Sequence, residues 1–288
     1  MQLRKMGVIN ITPDSFSDGN QFNSLDSFTE KFEKILEWAE VVDIGAESTA
    51  PFNSAISIAE ETSRFEETLF PFLKSRQDPE IYLSIDTYKT EVMEFVFQKV
   101  HYYWPKTKVV FNDVSGKIDD KLIEFLRAYP DIIYVYSHNL CPTREETINH
   151  MNYCKEVPRA KFLAEIVDYF SAGLERLSLV SNAIWIDPCF GFSKTREQNH
   201  FLLARFKTFL LQVPFDIPCV VGLSRKSFLR FPADLDIKSE SGLESVEQIH
   251  SNLLFYLLRS QFQRDLIIRT HSARPIESAL NTLNIFEV

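Results

Sequence analysis

The stretch GVINITPDSFSDGNQF, Gly7 to Phe22, begins as a buried strand and ends as a loop dense in oxygen atoms. Val8 and Ile9 fit a strand interior, whereas Asn10, Thr12, Asp14, Ser15, Ser17 and Asp18 are too many polar groups for a simple turn. The same transition recurs along the chain. Short runs rich in β-branched and other apolar residues lie at Gly7–Ile9, Val41–Ile44, Ile81–Ile85, Lys108–Phe111, Ile132–Tyr136, Ala183–Ile186, Pro218–Gly222 and Leu266–Ile268. Between them, Ser27–Glu40, Ile58–Ser75, Thr87–Val100, Lys121–Tyr129, Ala160–Val180, Glu197–Val213 and Glu244–Phe262 carry helical spacing with surface charge. Strands that are apolar on both faces and separated by helices pair in parallel, because parallel pairing needs a crossover. Eight such units without a linker predict a single (β/α)8 TIM barrel over residues 1–288, with an open doubly wound sheet as the alternative.

Composition bounds the function. With 288 residues and 45% hydrophobic content, the chain has material for a large core, and its 25 Phe make that core bulky. A formal charge of -9 disfavours general binding to nucleic acid or an anionic membrane, yet leaves room for a locally basic pocket. No apolar run has signal-peptide or membrane-spanning length, and Cys141, Cys154, Cys189 and Cys219 are dispersed. A reducing, cytoplasmic setting is the simplest expectation. His138, Cys141, His150 and Cys154 loosely imitate a zinc site, but Pro142 and a helix start at Thr143–Thr147 make a structural role the better reading.

The residue that follows each apolar run carries the functional signal. Asn10, Asp43, Asp86, Asn112, Ser137-His138-Asn139, Asp187, Ser224-Arg225-Lys226 and Arg269-Thr270-His271 all stand at strand ends. In a barrel these ends share the C-terminal face, where active sites sit. One polar strand end is usually a cap or turn former. A polar group at every end argues for an enzyme. Asp86, Asn112 and Asp187 suit a nitrogen heterocycle, because a carboxylate accepts adjacent N–H groups and an amide both gives and accepts. Arg225, Lys226, Arg269 and His271 follow the seventh and eighth runs, a frequent phosphate position in barrels. GLSRKS lacks the glycine spacing of a Walker loop, and no Gly-x-Ser-x-Gly elbow is present.

In order along nearly the whole chain, GVINITPDSFSDGNQF, DIGAEST-x-P (Asp43–Pro51), SIDT (Ser84–Thr87), FNDVSG (Phe111–Gly116), DPCFGFSKT (Asp187–Thr195), GLSRKSF (Gly222–Phe228) and IIRTH (Ile267–His271) resemble the motifs of the dihydropteroate synthase family. The resemblance implies a homodimeric TIM barrel that condenses 6-hydroxymethyl-7,8-dihydropterin pyrophosphate with p-aminobenzoate, using Mg2+ and releasing pyrophosphate. It implies that Asp86, Asn112, Asp187, Gly222, Lys226 and Arg269 hold the pterin, and that Asn10, Arg269 and His271 hold the pyrophosphate. It further implies that Asn10 helps place the metal and that Phe16, Thr49, Pro51, Phe192, Ser224 and Lys226 form the p-aminobenzoate pocket. The resemblance assigns catalytic roles to Asp18, Asp86, Asp187 and Lys226. An arylamine is already a nucleophile, so the difficult step is parting the pterin methylene from pyrophosphate.

Several positions depart from the family pattern. Ala50 replaces an Arg, Phe52-Asn53-Ser54 replaces a Gly-Ala segment, and Ser272-Ala273 replaces Asp-Val. Cys189 and Ser193 occupy glycine slots, where an added Cβ meets special backbone dihedrals or close approaches, and Cys141 also stands where a Gly is usual. These changes touch the second-substrate side more than the pterin side. A diverged paralogue using another amine, and a folate-dependent methyltransferase domain, are the competing expectations.

Overall fold

The computed structural model describes residues 2–12, 24–49, 53–213, 217–229, 239–259 and 264–286. Eight strands close into a parallel barrel in sequence order: β1 (Leu3–Asn10), β2 (Val41–Gly45), β3 (Tyr82–Asp86), β4 (Lys108–Asp113), β5 (Ile133–Ser137), β6 (Ile184–Asp187), β7 (Cys219–Gly222) and β8 (Leu266–Thr270). Closure comes from β8 pairing with β1, in the register Met6 with Arg269 and Gly7 with Thr270. The expected TIM barrel is therefore the fold. Around it lie α1 (Ser24–Leu36), α2 (Ile58–Ser75), α3 (Thr90–Tyr103), α4 (Asp120–Ala128), α5 (Arg159–Leu177), α6 (Arg196–Ala204), α7 (Phe206–Gln212), α8 (Glu240–Leu258) and α9 (Arg274–Phe286). No helix among the described residues is long and apolar enough to cross a membrane.

Two apolar cores hold the barrel. The inner one contains Met6, Val41, Val110, Ile133, Val135, Trp185, Val220 and Ile267. These residues fill the barrel interior, as side chains do in closed eight-stranded sheets. The outer core seats the helices, with Phe28, Phe32, Phe72 and Trp104 packed at ring-centroid distances of 4.6 to 6.0 Å. Strand geometry then fixes the site. Residues two apart share a face. Continuing each inner-core residue towards the C-terminal rim gives Val8 and Asn10, Asp43, Asn112, Ser137, Asp187, Gly222 and Arg269; Tyr82 leads to Ser84 and Asp86. The apolar plug thus becomes polar within one step of the same rows.

Four strands, β1, β2, β4 and β8, are longer than their apolar runs, because polar rim residues remain in the ladder: β4 ends at Asp113 and β8 at Thr270, while β3 is displaced by one residue to end at Asp86. The helix expected over Glu197–Val213 is two helices, broken at Arg205, whose φ of -111° and ψ of 15° leave the helical region. α8 starts at Glu240, since the Ser239 hydroxyl caps it by accepting the Gly242 N–H at 3.2 Å. α9 carries no expectation from the pattern of apolar runs. The expected solvated loop at Asp234–Glu240 lies outside the described residues up to position 238.

The turn into β3 stores backbone strain. Glu80 is exposed and left-handed, with φ of 57°, and its side chain makes only a surface ion pair with Lys106 at 2.6 Å. Left-handed backbone is unfavourable for residues with a Cβ, and an exposed pair contributes little. Glu80→Gly is expected to stabilise the fold by about 0.5–1 kcal/mol. A thermal melt at or below the wild-type midpoint would contradict that assignment of strain.

Candidate active site

The barrel floor is organised around Arg269. Its Nε donates to Asp43 Oδ2 at 2.7 Å, and its Nη2 donates to Asp86 Oδ2 at 2.7 Å. Asp43, fully buried, also accepts Ser84 Oγ at 2.5 Å and Asn112 Nδ2 at 3.2 Å. One guanidinium therefore ties strands β2, β3 and β8, and Asn112 of β4 joins through Asp43. Burial pushes the Asp86 carboxyl up to about 7 against the opposing pull of Arg269, and Asp43 adds to the rise. Burial works against the Arg269 charge as well, but Asp43 and Asp86 more than offset it, so its pKa is raised. Among the described residues, Asn112 Oδ1 is buried with no hydrogen-bond partner. An unpaired buried acceptor costs about 1–3 kcal/mol, which a ligand N–H at that point would recover.

Asp187 closes the floor from β6. Its Oδ1 accepts the Cys189 N–H at 2.6 Å, while burial raises the carboxyl pKa despite that bond and the nearby Lys226. The loop that follows bends sharply: Cys189 and Ser193 are left-handed at φ of 53° and 46°, and Gly191 has φ of 86°. Of the three residues in glycine slots, Cys189 and Ser193 thus adopt strained backbone, and Cys141 does not. Lys194 holds the bend together. Its Nζ sits 2.8 Å from His138 Nδ1 and donates to the carbonyls of Cys189 at 3.2 Å and Phe192 at 3.1 Å. Burial pushes Lys194 down to about 8 and His138 well below its usual range, so the imidazole is the neutral acceptor. Gly191 leaves room for Lys226, whose Cδ lies 3.3 Å from the position of an added Cβ. Lys226 Nζ is 4.8 Å from the Phe192 ring centroid, and burial lowers its pKa.

The rim is more nearly neutral than a row of basic letters implies. His271 accepts or donates through Nδ1 to Ser224 Oγ at 2.9 Å, and its backbone N–H reaches the same oxygen at 3.3 Å. Burial, then Arg225 and Arg269, push His271 down to about 3. It is a neutral hydrogen-bonding group at physiological pH, and the charge comes from Arg225, Lys226 and Arg269. Arg225 is left-handed at φ of 59°.

These residues line two joined chambers. The inner one, 70 Å³, is bounded by Asp86, Asn112, Asp187, Gly222, Lys226, Arg269, Thr49 and Phe192. It opens into an outer chamber of 540 Å³ that adds Asn10, Ser224, Ser227, His150, Met151 and His271. The expected Asp86, Asn112, Asp187, Gly222, Lys226, Arg269, Asn10, His271, Thr49, Phe192 and Ser224 therefore surround one hollow. Asp18, Phe16 and Pro51 lie outside the described residues, as do Ala50 and Phe52. Asp43, which binds Arg269 and Asn112, is the member to which strand ends alone assign no role. Its signal is its place two residues after Val41. His150 and Ser227 also line the chamber, and neither carries a site expectation from the sequence.

Other candidate groups belong to the scaffold. His138, Cys141, His150 and Cys154 face different partners: Cys141 Sγ contacts Asn139 Oδ1 at 2.9 Å, and His150 stacks on Phe192. All four cysteines are free thiols. Among the described residues, no group of three or more His, Cys, Asp or Glu is arranged to hold a metal. Arg144, buried, braces the loops after β3 and β4 through Asp113 Oδ2 at 2.7 Å, the Tyr88 carbonyl at 2.9 Å and Ser115 Oγ at 2.9 Å.

Comparison with known proteins matches this geometry. The sequence profile described as pterin binding enzyme matches residues 6–258. A dihydropteroate synthase of Staphylococcus haemolyticus is 27% identical over 226 residues, covering 78% of this chain and 75% of that protein. The crystal structure of dihydropteroate synthase from Clostridium difficile, obtained in the presence of pteroic acid, is 27% identical with a TM-score of 0.75, covering 99% of this chain and 97% of that one. The dihydropteroate synthase of Thermus thermophilus in complex with 4-aminobenzoate shares the fold at 24% identity, with a TM-score of 0.71 over 99% of this chain and 94% of that one. With its motifs in order and its rim polar groups gathered at one cavity, the chain belongs to the pterin binding enzyme family.

Proposed function

We propose that this enzyme joins 6-hydroxymethyl-7,8-dihydropterin pyrophosphate to p-aminobenzoate, forming 7,8-dihydropteroate and pyrophosphate. The observation that carries the reading is a floor suited to a nitrogen heterocycle that opens directly onto a cationic rim. Asp86, Asn112 and Asp187 provide acceptors below, while Lys226 and Arg269 stand at the junction with the outer chamber. Pteroic acid joins a pterin to a 4-aminobenzoyl group, so the relative crystallised in its presence supports this pairing of substrates.

The chemistry follows from charge. The methylene C–O bond breaks with its electron pair leaving on pyrophosphate, a C–N bond forms to the arylamine, and the amine loses one proton. Asp86 and Asp187 face a ring that becomes positive as the leaving group departs. Arg269 and Lys226 face the departing negative charge, in a preorganised site where such charges count most. Arg269 lines the inner chamber while holding Asp86, and a pterin N–H that takes over the Asp86 carboxylate would release the guanidinium. The freed guanidinium then becomes available to the ring face and to phosphate oxygens. His271, neutral and fixed by Ser224, supplies a directional hydrogen bond to the same anion.

Mg2+ fits this site as an ion carried in by the diphosphate. Mg2+ keeps several waters and takes one or two protein oxygens beside substrate phosphates, and the Asn10 amide oxygen at the rim suits that role. When bound there, the ion would neutralise developing charge on the leaving group. The homodimer and the cytoplasmic setting extend the same family reading.

Purified protein with Mg2+ and the pterin pyrophosphate should release pyrophosphate and dihydropteroate in equal amounts once p-aminobenzoate is added. Pyrophosphate without amine incorporation would assign another acceptor. Release of neither product would remove the proposal.

A further inference from the structure

Two residues in glycine slots meet at one atom. Asn139 Oδ1 accepts the Cys141 N–H at 3.2 Å, and it also lies 2.9 Å from both Cys141 Sγ and Ser193 Oγ. Ser193 Oγ is shared with the His150 carbonyl at 3.1 Å and accepts the Leu140 N–H at 3.2 Å. Ser193 does this from left-handed backbone, at φ of 46°. The loop after β6 is thereby knotted to the 3-10 segment Glu145–Tyr153 that follows β5. A glycine at 193 would relax the backbone and cut this link.

The knot determines where His150 sits. Its Nδ1 accepts the Ser193 N–H at 3.4 Å, and its ring, 1% exposed, stacks on Phe192 at 4.1 Å between centroids and 27° between planes. Lys226 Nζ lies 4.8 Å from the same Phe192 centroid. The imidazole and the ammonium thus both contact the Phe192 ring. Burial pushes His150 down to about 4, which keeps the imidazole neutral and its stacking unaffected by charge at physiological pH.

We infer that His150 is a positioning residue that sets selectivity for the arylamine acceptor. Its ring backs Phe192, and the Ser193–Asn139 knot locks both, so the wall offered to a flat amino-aromatic acid cannot retreat. This rests on the reading of the outer chamber as the acceptor pocket. It assigns acceptor selectivity to the 3-10 segment after β5, whose His150 lines the outer chamber and not the inner one.

The test compares wild type, His150→Ala, His150→Phe and Ser193→Gly. Steady-state KM is measured for both substrates, together with a calorimetric Kd for p-aminobenzoate that needs no turnover. Loss of one aromatic pair should raise the p-aminobenzoate KM and Kd of His150→Ala about tenfold. The pterin pyrophosphate KM should stay within about twofold, since His150 itself does not line the inner chamber. Discrimination against the wider 4-amino-1-naphthoate should narrow in the same variant. His150→Phe should restore most of the p-aminobenzoate affinity, and Ser193→Gly should weaken it about threefold, as expected for loss of one hydrogen bond. If His150→Ala does not fold, the other two variants decide. Rises in both KM values together, or unchanged acceptor affinity in a folded His150→Ala or in Ser193→Gly, would overturn the assignment. Wild type that binds p-aminobenzoate but makes no dihydropteroate would sink the proposed reaction alone; wild type that does not bind it overturns both.

Discussion

Arg269→Met should cost about 3 kcal/mol of stability and at least about 100-fold in turnover. The stability loss comes from what the guanidinium leaves behind. Asp43 is fully buried and Asp86 is 15% exposed, with Arg269 within 2.7 Å of each. Removing the cation from a buried pair typically costs about 3–5 kcal/mol, because the remaining charge is uncompensated. The lower end applies here, since Asp86 already has its pKa raised to about 7 and can take up a proton. The sign of the pH dependence follows. Without Arg269 the Asp86 carboxyl rises further, and a folded-state pKa above the unfolded value means the folded protein binds the extra proton. The deficit relative to wild type should therefore be largest near pH 8 and should shrink towards pH 6. Melting curves at those two pH values would check this. A variant that melts with wild type at pH 8 would show that the three-way ion pair does not support the barrel. Arg269→Lys should recover part of the stability but not the bridge, because an ammonium cannot fork between two carboxylates.

The sequence conveys the barrel well because parallel strands buried on both faces write themselves as apolar runs. It conveys the rim almost as well, since the polar residue after each run projects from the same row as the apolar plug. What it does not convey is how rim residues bind one another. Arg269 and Asp43 are 226 positions apart, and nothing in IIRTH or DIGAEST states that one donates to the other. Read as letters, Arg269 and His271 look like a cationic pair. Folded, Arg269 is partly spent on two carboxylates, and burial leaves His271 neutral. The glycine slots show the same division. Cys189 and Ser193 are legible as misfits, and their positive φ values follow from that. That the Ser193 hydroxyl reaches Asn139 and the His150 carbonyl needs the meeting of two loops 54 and 43 positions apart in sequence. The break at Arg205 is hidden because α6 and α7 share one continuous apolar pattern through Phe201, Leu202, Phe206, Phe209 and Leu210.

Asp86→Asn separates the chemical role of this floor from its structural one. The amide keeps the shape of the carboxylate and an oxygen that can accept from Arg269 Nη2, while Arg269 retains Asp43 at 2.6 Å. Because the lost charge sits in a site that disfavours it, stability should change by less than about 1 kcal/mol. Turnover should fall about 100- to 1,000-fold, the range for removing one preorganised electrostatic partner of a transition state. An amide presents one acceptor oxygen beside an NH2 donor, so it cannot accept two adjacent ring N–H groups side by side, and it has no negative charge to offer a pterin turning positive. In the wild-type enzyme the ionised carboxylate predominates only above about pH 7, so kcat/KM for the pterin substrate should decline as pH falls through that value. The substitution removes the titrating group, so this acid limb should vanish from the remaining activity. Turnover within about threefold of wild type, or the same limb surviving in the variant, would place the essential carboxylate elsewhere. Asp187, pushed up by the same burial, would then be the group to replace.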